Sequence, residues 1–138
     1  MSLALSTSCQ LKNGLFACGS EQTGICQYCA RSFCQRHGVV LDDGQQICAR
    51  KVCVAKRDDV ARHLVFKELV RDRNLARACG VVTCVTELGG QCTRCLGLFC
   101  AGHVRGREEL VLENRVRVPR IATLCQHCWS RRPLWVRQ

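Results

Sequence analysis

Aromatic residues make up only 5% of this 138-residue chain, and no stretch approaches the ~18 apolar residues that a membrane span requires. The first shortage leaves little bulk for an ordinary hydrophobic core, and the second argues against insertion in a bilayer. The opening residues, MSLALSTSCQLKNG, lack a basic n-region, and their apolar run stops after Leu5, too short for a secretory signal. A reducing, intracellular compartment, cytoplasmic or nuclear, is therefore expected. Also missing are the H-E-x-x-H of a metalloprotease and the H-x-E with P-C-x-x-C of a zinc deaminase. Neither enzymatic turnover nor a small-molecule substrate is expected.

What the chain has instead is cysteine, fourteen of them. One pattern occurs twice: CQYCARSFCQRH from Cys26 to His37, and CTRCLGLFCAGH from Cys92 to His103, both C-x2-C-x4-C-x2-H with Phe33 or Phe99 before the third cysteine. A shift of 66 positions also superposes Gly14 on Gly80, Cys18 on Cys84, Glu21 on Glu87 and Gly24 on Gly90, which reads as an internal duplication. The first half offers Cys9, Cys18, Cys26, Cys29, Cys34, His37, Cys48 and Cys53. The second offers Cys79, Cys84, Cys92, Cys95, Cys100, His103, Cys125 and Cys128. A C-x2-C turn directs both sulfurs to one side, and tetrahedral zinc takes four such ligands, so sixteen donors make four closed zinc sites.

Each half spans roughly 45 to 55 residues, a size that rarely folds without a staple. Structural zinc contributes about 10–16 kcal/mol per site in small peptides, against a few kcal/mol from a small core. Folding is therefore expected to depend on metal. A disulfide framework and an iron–sulfur site are the competing readings of so many cysteines, and paired C-x2-C units completed by histidine suit zinc better than either. Zinc ligands are thiolates, so fourteen thiolates and four dications lower the formal charge of +10 to about +4. The nucleic-acid argument from basicity shrinks with it.

Along the chain, residues 1–8 are expected to be loosely attached. Cys9 and Cys18 form an unusually wide C-x8-C pair, whereas Cys79 and Cys84 form C-x4-C; a free surface thiol is the alternative for Cys9. GVVLDDGQQIC after His37 reads as a β-hairpin turning at Asp43-Gly44. After His103 a longer hairpin runs through Leu110–Leu112, turns around Glu113 and Asn114, continues through Arg115–Val118 and ends at Pro119. A helix is expected from about Asp58 to Asn74, with acids at its start and arginines toward its end. Its apolar stripe of Val60, Ala61, Leu64, Val65 and Leu69 would pack on the zinc modules. His63 on that helix and His127 within its C-x2-C turn are expected to face solvent, and Phe33 and Phe99 to form the core of each half. The divisions are residues 1–54, a first zinc module; 55–78, a helical linker; and 79–138, a second module with a basic tail.

The motif resembles two related zinc folds. Phe33-Cys34 with His37, and Phe99-Cys100 with His103, are similar to the FC-x2-H element of the AN-one-type finger of stress-associated proteins. The order Cys92 through Cys128 is similar to that of the FYVE finger. The resemblance implies a small, metal-stabilised α+β fold in which two tandem modules, each a knuckle, a β-hairpin and a short helix in treble-clef arrangement, are joined by a helix. It also implies a cross-brace: Cys9, Cys18, Cys34 and His37 on one ion, Cys26, Cys29, Cys48 and Cys53 on another. The second half would use Cys79, Cys84, Cys100 and His103, then Cys92, Cys95, Cys125 and Cys128. A compact knuckle of Cys26, Cys29, Cys34 and His37 on a single ion remains the alternative partition. The last pairs, Cys48-x4-Cys53 and Cys125-x2-Cys128, depart from the AN-one type's His-x-Cys. Gln22–Ile25 and Gly89–Gln91 stand where the FYVE family has its basic lipid-reading run, so neither a phosphoinositide nor a membrane is expected as partner. A RING ligase would place its histidine fourth rather than sixth.

Two functions of different class follow. The first is an interaction module, a paired adaptor docking on a protein. The second is a nucleic-acid or ribonucleoprotein binder using Arg115, Arg117, Arg131, Arg132, Trp129 and Trp135, joined by Arg120 and Arg137. Arginine and tryptophan equally suit a protein interface. The basic set on the helix, from Lys56 to Arg77, is interleaved with acids and reads as a solvated face.

Overall fold

Most strands are only two or three residues long, because so many positions are committed to cysteine and to the turns that aim it. A computed structural model describes residues 8–136, and the chain divides into two units, 1–60 and 61–138. The expectation for residues 1–7, and the basic position Arg137, lie outside the described residues. Ser8 is not loose: it bridges Glu21 in antiparallel fashion.

In the first unit β1 (Lys12–Asn13) and β2 (Phe16–Ala17) form a hairpin over Gly14, whose φ is 73°. β3 (Gly24–Ile25) pairs with β4 (Ser32–Phe33), and β5 (Gly38–Val40) pairs with β6 (Gln46–Cys48) through the expected turn at Gly44. Phe33 is fully buried among cysteines, Leu11 and Ile47. Its ring lies so close to two backbones that a Cβ on Gly38 would stand 2.2 Å from it and one on Gly24 2.8 Å.

Helix α1 (Lys51–Leu75) starts seven residues before the expected Asp58. No acid marks its first turn; Cys53 lies there instead, so the helix begins at a ligand and not at the acidic pair. The predicted stripe is also misplaced. Leu64, Val65 and Leu69 are 58%, 58% and 49% exposed. In the second unit the inward face of α1 is His63, Phe66 and Val70, spaced by three and four. Histidine on the buried face hid it from an apolar pattern.

The second unit adds β7 (Gly90–Gln91) paired with β8 (Leu98–Phe99), then β9 (Val104–Glu113) paired with β10 (Val116–Cys125), and α2 (Gln126–Trp135). Backbone bonds of the first unit recur 66 residues later. Cys26 N–H to Arg31 O becomes Cys92 N–H to Gly97 O, and Ala30 N–H to Cys26 O becomes Leu96 N–H to Cys92 O. Ala30 and Leu96 share a left-handed φ of 60° and 62°. The correspondence of Gly14 with Gly80 fails, however. Gly14 turns the β1–β2 hairpin, which has no counterpart after Cys79, while Gly80 packs against Phe99, where a Cβ would stand at 2.7 Å. The four extra residues between Cys9 and Cys18 make that hairpin, so the register of 66 holds only from Cys18 to His37 and is lost again in the longer second hairpin before Cys125.

Pro119 does not end β10; it pairs with Leu110 in mid-ribbon. The loop is Asn114-Arg115, both with positive φ, one residue later than expected and suited to the right-handed twist of a two-residue hairpin. Glu113 and Val116 then form a hydrogen-bonded pair and Leu110 and Pro119 a non-bonded one, so the absent N–H of proline costs no ladder bond. Helix α2 stands where the resemblance implies the short helix of the second module, whereas in the first module that helix and the joining one are the single α1; Pro133 lies in the last turns of α2, which ends two residues later. Short antiparallel hairpins, two helices and cysteine clusters fit a small, metal-stabilised α+β fold.

Candidate metal centres

The sixteen donors fall into four groups. Cys9, Cys18, Cys34 and His37 come together, as do Cys26, Cys29, Cys48 and Cys53; Cys79, Cys84, Cys100 and His103; and Cys92, Cys95, Cys125 and Cys128. Within each group all ligand atoms lie within 4.8 Å of one another. The fold thus places the compact-knuckle pairs apart, Cys26 and Cys29 in one group and Cys34 and His37 in another. Cys9 is 1% exposed and part of a group, not a surface thiol.

Chain topology explains this interleaving. The β3–β4 hairpin turns its C-x2-C knuckle away from Cys34, and the β5–β6 hairpin carries Cys48 back beside Cys29, at 3.7 Å. Both four-cysteine groups take a ligand from the first turn of a helix, Cys53 in α1 and Cys128 in α2, where free N–H groups and the helix dipole favour a thiolate.

The distances discriminate between chemistries. A disulfide needs sulfurs at about 2.05 Å, whereas Cys18–Cys34, Cys84–Cys100 and Cys95–Cys125 are separated by 3.9, 3.8 and 3.9 Å, and all fourteen thiols are free. A tetrahedral ion with bonds of about 2.3 Å to sulfur and about 2.0 Å to nitrogen sets S···S at about 3.8 Å and S···N at about 3.5 Å. The Nδ1 of His37 lies 3.5 and 3.3 Å from the sulfurs of Cys9 and Cys34, and that of His103 lies 3.4 and 3.2 Å from Cys79 and Cys100. Two donor sets have three sulfurs and an imidazole nitrogen, and two have four sulfurs. Sets of these dimensions fit four zinc ions per chain.

Without an ion, four crowded sulfurs share protons unequally. Burial and neighbouring sulfurs push Cys53 up, and burial drives Cys48 up to about 11. Hydrogen bonds from Cys125 and Cys128 hold Cys95 far below the thiol range. The hydroxyl and backbone N–H of Ser20 hold Cys18 at about 6, and Thr86, chiefly through its backbone N–H, does the same for Cys84. A dication resolves the conflict by stabilising all four thiolates together.

Several supports escaped sequence reasoning. The Arg50 guanidinium sits against the Cys29 sulfur, which raises its own pKa. Arg73 donates to the carbonyls of Cys79 and Cys84, both at 2.7 Å, and Asn74 clasps Leu98 through N–H and C=O, both at 2.9 Å. Nothing in the local sequence pattern marks these polar groups; the folded chain brings them to the ligand loops. His63 and His127 are not solvated singly: His63 Nδ1 and His127 Nε2 lie 3.0 Å apart, and His127 stacks on Phe66 with centroids 3.7 Å apart.

The proposed basic surface is partly consumed internally. Trp129 has the guanidinium groups of Arg107 and Arg132 over its ring, each 4.7 Å from the centroid. Arg132 also faces the buried Glu109 at 3.6 Å, and Arg94 donates to both oxygens of Glu109 at 3.0 and 2.9 Å. Arg120 is paired with Glu113. Arg115 lies in the β9–β10 turn, Arg117 borders a groove with Arg132, and Arg131 and Trp135 border a second one beside it. Among the described residues no helix is long and apolar enough to cross a membrane.

Compared with protein-family models, curated proteins and solved structures, the chain has no match.

Proposed function

We propose that this is a non-enzymatic zinc-built docking protein, a tandem pair of cross-braced treble-clef fingers of AN-one-like type that serves as an adaptor for a protein partner in a reducing compartment. The observation that carries it is the closure of every donor group at four ligands, which leaves no coordination position for a reacting water. The finger assignment is supported by the sequence of knuckle, hairpin and helix after each Phe-Cys element, with Phe33 and Phe99 buried. With the cysteines committed to metal, what remains for function is surface.

The nucleic-acid alternative has less support, because Trp129 already carries two guanidinium groups and Arg132 and Arg120 face carboxylates. The test is affinity purification of the full zinc-loaded chain with and without nuclease, followed by salt titration of whatever is captured. Capture of a protein that survives nuclease and depends weakly on salt is expected. Nuclease-sensitive capture whose affinity falls steeply with log salt, and is lost in Arg131→Ala/Arg132→Ala, would overturn the docking reading.

A further inference from the structure

The β9–β10 ribbon has two outer edges, and they are not alike. The two-residue loop sets the alternation of the ladder, so Glu108, Leu110 and Leu112 turn their N–H and C=O groups away from β10, while Arg117, Pro119, Ile121 and Thr123 turn theirs away from β9. Thr123 bears this out: its carbonyl accepts from Thr93 N–H at 2.9 Å. The β10 edge is thus covered at Thr123 and lacks a donor at Pro119, the usual ways of blunting an edge. The β9 edge carries neither device, and among the described residues the main chains of Glu108, Leu110 and Leu112 make no bond on that side.

Beside this open edge runs a groove of about 460 Å³ bordered by Arg94, Leu110, Leu112, Arg117 and Arg132. It continues past Arg131 and Trp135. Its buried acid, Glu109, is engaged by Arg94 and Arg132, so the groove is positive. Leu110 and Leu112, 60% and 70% exposed, share one face of the ribbon, on which Pro119 lies directly opposite Leu110. Glu109 lies on the other face, toward Arg94 and Arg132.

We infer that the β9 edge receives an extended acidic segment of a partner protein as a third strand. The segment alternates apolar side chains, set beside Leu110 and Leu112, with carboxylates directed at Arg94 and Arg132 on the opposite face. This rests on the docking function above and names the chemistry of its partner.

The probe is a fluorescent eight-residue peptide alternating Val and Asp, titrated against the full zinc-loaded chain, with a Val/Lys peptide and a single-stranded oligonucleotide as comparisons. Two further Val/Asp peptides are N-methylated at alternate amides, one in each phase. The Val/Asp peptide is expected to bind, one methylation phase to abolish binding and the other to leave it. Leu112→Pro, which removes an outward N–H but no ladder bond, should weaken binding at least tenfold at unchanged zinc content. No binding below about 1 mM, equal effects of the two methylation phases, or wild-type affinity in Leu112→Pro would overturn the inference. So would preference for the oligonucleotide, or self-association of the chain that Leu112→Pro abolishes. If affinity purification from wild type and Leu112→Pro yields the same nuclease-resistant partner, the edge is not the site but docking stands; nuclease-sensitive capture by both removes docking itself.

Discussion

Gly38 shows how little freedom a residue has when one phenylalanine is nearly the whole core. A Cβ there would stand 2.2 Å from the Phe33 ring, and Gly38→Ala is expected to destabilise the zinc-loaded protein by about 1–3 kcal/mol, read from thermal unfolding; an unchanged midpoint would refute the packing. The ligands themselves were legible residue by residue, since C-x2-C spacing reports a chelating turn directly. The groups that tune them were not, because Ser20, Arg50 and Arg73 are ordinary polar residues until folding aims them. Ser20 gives a measurable case. Its hydrogen bonds hold Cys18 at about 6, and a thiol held below its ordinary value favours the folded, ionised cluster at higher pH. That advantage is lost as pH falls through about 6. Zinc release to a chromophoric chelator is expected to set in as pH falls, and Ser20→Ala should move its midpoint to higher pH. A midpoint that stays put would show that Ser20 does not tune the site.

Elements were legible where their signal is local. The Asp43-Gly44 hairpin and the existence of α1 follow from turn residues and helical spacing. The start of α1 and its buried face do not, because the acidic pair Asp58-Asp59 mimics a helix N-terminus and apolar residues cover the outside. The two faces make different predictions. Val70 is 3% exposed and lies against the backbones of Gly80 and Gly97, so Val70→Ala should cost about 1–3 kcal/mol. Leu64→Ala, on the stripe that periodicity selects, should cost less than about 0.5 kcal/mol. Thermal unfolding of both variants decides it, and the reverse order would restore the stripe. Pro119 carries the same lesson: proline ends a strand only where its N–H is needed, and that depends on ladder phase, which the turn at Asn114-Arg115 sets.

At the scale of the molecule, burying one phenylalanine per unit contributes about 1.5–3 kcal/mol, while each zinc site of this kind contributes about 10–16 kcal/mol. Shape therefore follows metal, and the shortage of aromatic residues and the surplus of cysteine are one fact. Cys29→Ser and Cys95→Ser should each lower zinc content to three ions or fewer and unfold their own unit more than the other, visible in native mass spectrometry and in amide exchange. Docking, the fold's proposed use, is the part that the ligand pattern could not show, since ligands point inward. The most direct measurement is elemental analysis with thiol titration of the protein purified without added metal. Four zinc ions per chain, with fourteen thiols that react only after chelation and a fold lost with them, are the expected result. Fewer ions, thiols oxidised in pairs, or an intact circular dichroism spectrum in strong chelator would contradict the account.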